Sequence, residues 1–86
     1  ATMLKIEVSE ERGIHIEATG QVKNILTDLA IGFNTLYHQM TNGDQVAEKT
    51  VKDMLRFAIM DDNSPFWKNL NLGADATAIR IEIPQK

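Results

Sequence analysis

Apolar and polar residues alternate over Leu4-Lys5-Ile6-Glu7-Val8 and again over Ile14-His15-Ile16-Glu17-Ala18. A period of two places successive side chains on opposite faces of an extended chain, so both segments are predicted strands with one apolar face. Ser9-Glu10-Glu11-Arg12-Gly13 joins them as a polar connection, and Gly13 supplies the positive φ that a hairpin loop of this kind calls for. The alternation returns from Ala76 to Ile83, with Ile79, Ile81 and Ile83 on one face and Arg80 and Glu82 on the other. Pro84 ends this third strand, because it has no amide to donate to a ladder.

Between the second and third strands the period changes to 3.6. Val22, Ile25, Leu26, Leu29, Phe33, Leu36, Tyr37 and Met40 fall within about 100° of one face of a helix running from Gln21 to Met40. Thr19 or Gly20 supplies its start, and Asn42-Gly43 its stop. Asp44 reads as the N-cap of a second helix that runs to about Met60. Its wide apolar face carries Val46, Ala47, Thr50, Val51, Met54, Leu55, Phe57 and Ala58. So short a link predicts a helical hairpin. Gly32, in the middle of the first helix, costs about 1 kcal/mol of propensity relative to alanine, and close approach of a neighbouring backbone or of a ring such as Phe57 would account for it. Asp61-Asp62-Asn63-Ser64-Pro65 is a break, with Ser64 as a cap and Pro65 opening a short turn whose Phe66 and Trp67 are expected to form a lid over the core. Residues 68–75 read as loop.

Together these elements predict one α+β domain over residues 3–86, of order ββααβ. It is expected to be a three-stranded antiparallel sheet with the helical hairpin on one face, covering Leu4, Ile6, Val8, Ile14, Ile16, Ala18, Ile79, Ile81 and Ile83. A helical dimer with a peripheral hairpin is the alternative. Ala1-Thr2, ahead of Met3, reads as an expression remnant and is left out of this fold.

Composition narrows the function. At 86 residues and 43% apolar, the chain buries only roughly 60–65% of its unfolded surface on its own, so association with other chains would help it. Having no cysteine excludes disulfides, thiolate metal sites and cysteine nucleophiles. No apolar run approaches a membrane span or a signal peptide, which makes the cytoplasm the expected location. A net charge of −3 has the wrong sign for a protein that gains affinity by neutralising phosphates.

Candidate chemistry is sparse. His15 lies on the polar face of a strand and His38 on the polar side of a helix, neither with the spaced partners that a metal or an acid–base site needs. The Asp61-Asp62-Asn63-Ser64 oxygens lack the alternating ligands and central glycine of a calcium loop. No glycine pattern cradles phosphate. We therefore expect no enzyme activity, no cofactor and no metal. Lys49, Lys52 and Arg56 form a basic stripe on the second helix, the candidate nucleic-acid contact of an alternative reading as a nucleic-acid-associated accessory factor. Glu48 and Asp53, spaced to pair with Lys52 and Lys49, argue against it. The outer sheet face, Lys5, Glu7, His15, Glu17, Arg80 and Glu82, mixes signs as a solvated surface does.

The far side of the first helix stands out. Asn24, Thr27, Ile31, Asn34, Thr35 and His38 form a face with little charge, and Ile31 sits almost opposite the apolar stripe. Exposed helices carry more charge than this, which makes the face a candidate protein interface.

The strand hairpin, then Ala18-Thr19-Gly20, then a helix of the type Ile25-Leu26-Thr27-Asp28-Leu29 running to Leu36-Tyr37 resembles, in layout and size over residues 3–60, small uncharacterised proteins encoded by phages and prophages of Gram-positive bacteria. The resemblance implies a cytoplasmic accessory protein acting through protein contacts, and it carries over no catalytic or ligand residue. The expected function is thus a small non-catalytic protein-interaction module that self-associates and meets a further protein partner through the first helix or an open sheet edge.

Overall fold

A computed structural model of the chain describes residues 2–70 and 76–84. The elements follow the order β1 (Met3–Ser9), β2 (Gly13–Thr19), α1 (Val22–Thr41), α2 (Gln45–Met60) and β3 (Ala76–Glu82), an α+β composition. They fall into two compact units, one of Ala1–Phe33 with Leu72–Lys86 and one of Asn34–Asn71, so that α1 passes from the first into the second at Phe33. Most of the loop expected over 68–75 lies outside the described residues.

The first unit holds a three-stranded sheet of order β1-β2-β3. β1 and β2 pair antiparallel with Ile6 opposite Ile16 and Leu4 opposite Ala18, and the turn between them is closed by Gly13 at φ 75° and by the Arg12 amide donating to Ser9 Oγ at 3.0 Å. β3, however, runs parallel to β2, with Ile16 opposite Ile79 and Ala18 opposite Ile81. The sheet is therefore mixed, and the antiparallel expectation is corrected. Period-two alternation reads the same in either direction, whereas a long helical crossover can deliver a strand running parallel to its neighbour. A register shift between Ile14 and His15 marks a bulge near the start of this pairing. The faces are as the alternation foretold: Leu4, Ile6, Val8, Ile14, Ile16, Ala18, Ile79 and Ile81 share one side.

Gly20 ties the sheet together. Its amide donates to the Glu82 carbonyl at 3.0 Å, its φ is +125°, and an added Cβ would meet Thr2 Oγ1 at 2.9 Å and Thr2 Cα at 3.3 Å. Both the conformation and the contact demand glycine. Thr2, set aside as a remnant on sequence grounds, thus packs on the sheet unit. Helix α1 opens two residues beyond Gly20, at Val22, and the Gln21 carbonyl just before it accepts from the amides of Asn24 and Ile25.

In the second unit, Asn42 at φ 46° and Gly43 at φ 78° turn the chain out of α1 in left-handed conformations. Asp44 then caps α2, its Oδ1 accepting from the amides of Val46 at 2.9 Å and Ala47 at 3.3 Å. At the other end three orphan carbonyls of α2 find donors: Phe57 from the Asp61 amide, Ala58 from Ser64 Oγ, and Ile59 from Trp67 Nε1 at 2.7 Å. Ser64 is buried, but Phe66 and Trp67 are more than half exposed. This segment caps the C-terminus of α2.

Candidate interaction surface

Amphipathic elements are meant to cover their apolar sides, yet here they leave them open. Among the described residues Ala18 is the one hydrophobic side chain that is buried, at 4% exposure. On the sheet, Ile6, Val8, Ile79 and Ile81 are all more than half exposed, while Ile14 and Ile16 on the central strand are half-buried. Central strands gain cover from both neighbours; edge strands do not.

Helix α1 shows the same condition along its length. Val22, Leu26, Leu29, Phe33, Leu36 and Met40 stay between 43% and 63% exposed. Their spacing is four, three, four, three, four, the a and d positions of a heptad repeat. Ile25 and Tyr37, half-buried, flank this row. Gly32 lies beside it. Among the described residues no group lies within 4 Å of where its Cβ would be, a position at which glycine costs the helix about 1 kcal/mol of propensity relative to alanine.

The opposite face of α1 carries Asn24, Thr27, Ile31, Asn34, Thr35 and His38, and all six are exposed, Ile31 at 61%. Thr27 Oγ1 donates back to the Lys23 carbonyl at 3.0 Å. The Tyr37 ring stands edge-on to His38 with centroids 5.1 Å apart, and its hydroxyl donates to the Glu48 carbonyl at 3.3 Å. Partial burial and, secondarily, the Glu48 charge hold the Tyr37 hydroxyl above its usual pKa.

On α2, the broad apolar face divides in two. Ala47, Val51, Leu55 and Ala58 are half-buried, whereas Val46, Met54, Phe57 and Met60 are exposed. The basic stripe is partly neutralised: Lys49 Nζ bonds Asp53 Oδ2 at 2.6 Å, and that hydrogen bond is the chief reason the Asp53 carboxyl sits below its ordinary pKa, with the charges of Lys49, Arg56 and Lys52 adding to it. Lys52 and Arg56 are exposed on the same side.

The polar face of the sheet holds a depression of about 220 Å³ lined by Lys5, Glu7, Arg12, His15, Glu17 and Arg80, together with Ile16 and Ala78. Lys5, Glu17 and Arg80 lie side by side across the three strands, Arg12 pairs with Glu7 at 3.4 Å, and Arg80 forks onto Glu82, which raises its pKa. Opposite signs answer one another along these rows, leaving little net field. His15 Nε2 lies 3.2 Å from the Arg12 carbonyl, as a donor to it. In the break after α2, Asp61 Oδ1 accepts from the Asn63 amide at 2.9 Å, a local turn bond. Among the described residues no group of three His, Cys, Asp or Glu side chains is placed to hold a metal ion, and no helix is long and apolar enough to cross a membrane.

A scan against protein-family models, a search of curated proteins and a search of solved structures each found no match to this chain.

Proposed function

We propose that this chain is a small non-catalytic protein-interaction module that works as a homo-oligomer in the cytoplasm, an accessory protein of the kind its resemblance to phage-encoded proteins implies. The observation that carries this reading is the burial pattern: both the sheet and α1 present their apolar sides to solvent, with Ala18 alone fully covered among the described hydrophobic residues. Exposed apolar surface on this scale marks association sites, because each 100 Å² taken from water is worth about 2.5 kcal/mol before the costs of association. Self-association covers the apolar sides. The sparsely charged face of Asn24, Thr27, Ile31, Asn34, Thr35 and His38 is the surface offered to a second protein, as an open sheet edge is to an added strand.

Sedimentation of the native chain over a wide concentration range at moderate salt tests the reading, with a dimer or larger assembly expected. A monomer throughout overturns it. DNA binding that falls steeply with salt and disappears when Lys49, Lys52 and Arg56 are neutralised would replace it with the nucleic-acid reading.

A further inference from the structure

We infer that the β1 strands of two copies of this chain pair antiparallel about a two-fold axis at Ile6, joining two three-stranded sheets into one of six. The inference rests on the homo-oligomer reading above and names its interface.

The edge of the sheet, not its face, is what asks for a partner. β1 is an outer strand of the order β1-β2-β3, so one row of its amides and carbonyls points away from β2. A helix spends its own amides and carbonyls internally; α1 and α2 can cover a face but cannot extend a ladder. Among the described residues every strand is already in the sheet, and a strand added beside β1 comes from another chain. β1 is also unguarded. All seven of its residues pair with β2 in unbroken register and none is proline, so neither a bulge nor a missing donor blunts its outer side. The opposite edge differs: the pairing of β3 with β2 shifts register near its start, Pro84 follows it closely, and its Arg80 and Glu82 are bonded to each other at 2.9 Å.

The occupant is identified by the complementarity of β1 to itself. Ile6 is the middle residue of Met3–Ser9. Antiparallel pairing about it sets Lys5 against the partner's Glu7 and Glu7 against the partner's Lys5, while Leu4 meets the partner's Val8 and Ile6 the partner's Ile6. The whole strand is used, apolar meets apolar, and two opposite-charge pairs stand with Cβ atoms about 4.5–5.5 Å apart. A slide of two residues, the least that keeps the faces aligned, brings Lys5 against Lys5 in one direction and Glu7 against Glu7 in the other. Parallel pairing in register sets both like pairs side by side. The polar row also continues across the seam. Arg80, Glu17 and Lys5 lie abreast in one copy, and the partner's Glu7 comes next, so the signs go on alternating. Ile6 and Val8, more than half exposed on the edge strand, each gain a second neighbour.

Native, Lys5→Glu and Glu7→Lys chains are compared by sedimentation at low salt, alone and mixed, with circular dichroism to follow folding. The native chain is expected to dimerise. Each variant alone faces like charge at both positions of the seam and should associate about tenfold more weakly or worse. An equimolar mixture of the two should recover association, because an acidic edge then meets a basic one, and damage to the fold cannot produce that recovery. If either variant does not fold, oxidation of Ile6→Cys decides. The chain has no other cysteine, and in this register position 6 meets its own copy within disulfide reach. Ile6→Cys should cross-link into dimers, and Val8→Cys, set against Leu4, should not. Variants that associate as the native chain does, weakened variants that fail to recover on mixing, or cross-linking of neither cysteine or of both alike, overturn the β1 seam and leave the homo-oligomer reading standing. A native monomer at every concentration overturns both.

Discussion

Removing one hydroxyl should weigh heavily on α2. Ser64 Oγ donates to the Ala58 carbonyl, and Ser64 is only 6% exposed. Ser64→Ala leaves that carbonyl without its donor in a place water reaches poorly, and an unsatisfied buried polar group costs about 1–3 kcal/mol. Trp67 Nε1 does the same for the neighbouring Ile59 carbonyl at 2.7 Å, but Trp67 is 59% exposed. Water can replace that donor, so Trp67→Phe should cost only about 0.5–1 kcal/mol for the hydrogen bond. The predicted order is thus Ser64→Ala worse than Trp67→Phe by about 1 kcal/mol or more, equivalent to roughly 4–8 °C in melting midpoint for a chain of this size. Urea and thermal unfolding followed by circular dichroism measure it, at one fixed protein concentration because assembly shifts apparent stability. The fluorescence of Trp67, the chain's single tryptophan, adds a second probe for Ser64→Ala. Equal losses, or a larger loss for Trp67→Phe, would refute the argument that burial of the donor side chain sets the cost.

Three more expectations follow from the same reasoning. Asp44→Ala removes the acceptor for two first-turn amides of α2 and should lower stability by about 1 kcal/mol, with Asp44→Asn or Asp44→Ser close to native in the same unfolding assay. Gly20→Ala forces a β-carbon into φ +125° and against Thr2, so a loss of about 1–3 kcal/mol is expected; deleting Thr2 in that variant should recover the part due to contact and not the part due to strain. The depressed pKa of Asp53 stabilises the folded chain above the ordinary carboxylate pKa and ceases to do so as pH falls through the folded value. Lys49→Ala should therefore reduce helix stability at neutral pH and low salt, and match the native chain both in strong acid and at high salt; a difference that persists in acid would show that Lys49 acts other than through its charge.

Alternation and periodicity in the sequence were enough to place the strands, their faces and both helices. The facing of Ile16 with Ile6 and Ile79 follows from period two alone. What the alternation could not encode is direction, so the parallel course of β3 was out of reach until its partner residues were known. Asp44, Asn42 and Gly43 were legible because capping and left-handed turns depend on one or two local residues. The Ser64 and Trp67 caps were not, since they reach back six and eight residues through side chains whose aim depends on the whole break. Amphipathicity stated which side of α1 seeks cover, and it was natural to assign that cover to the same chain. Leu26 and Met40 on that side are 56% and 63% exposed.

Pairing β2 with β3 has a consequence for how the chain acquires its structure. The partners Ile16 and Ile79 are separated by both helices, so this ladder closes the longest loop in the chain, and long-range pairings of this kind form slowly. The unit of Asn34–Asn71 depends on local contacts and sits inside that loop. During synthesis it can form while β1 and β2 stand as a lone hairpin with the β2 edge unpaired as well as that of β1, and such hairpins are only marginally stable in water. Until β3 has been made and has found Gly13–Thr19, the nascent sheet offers that edge to any strand nearby.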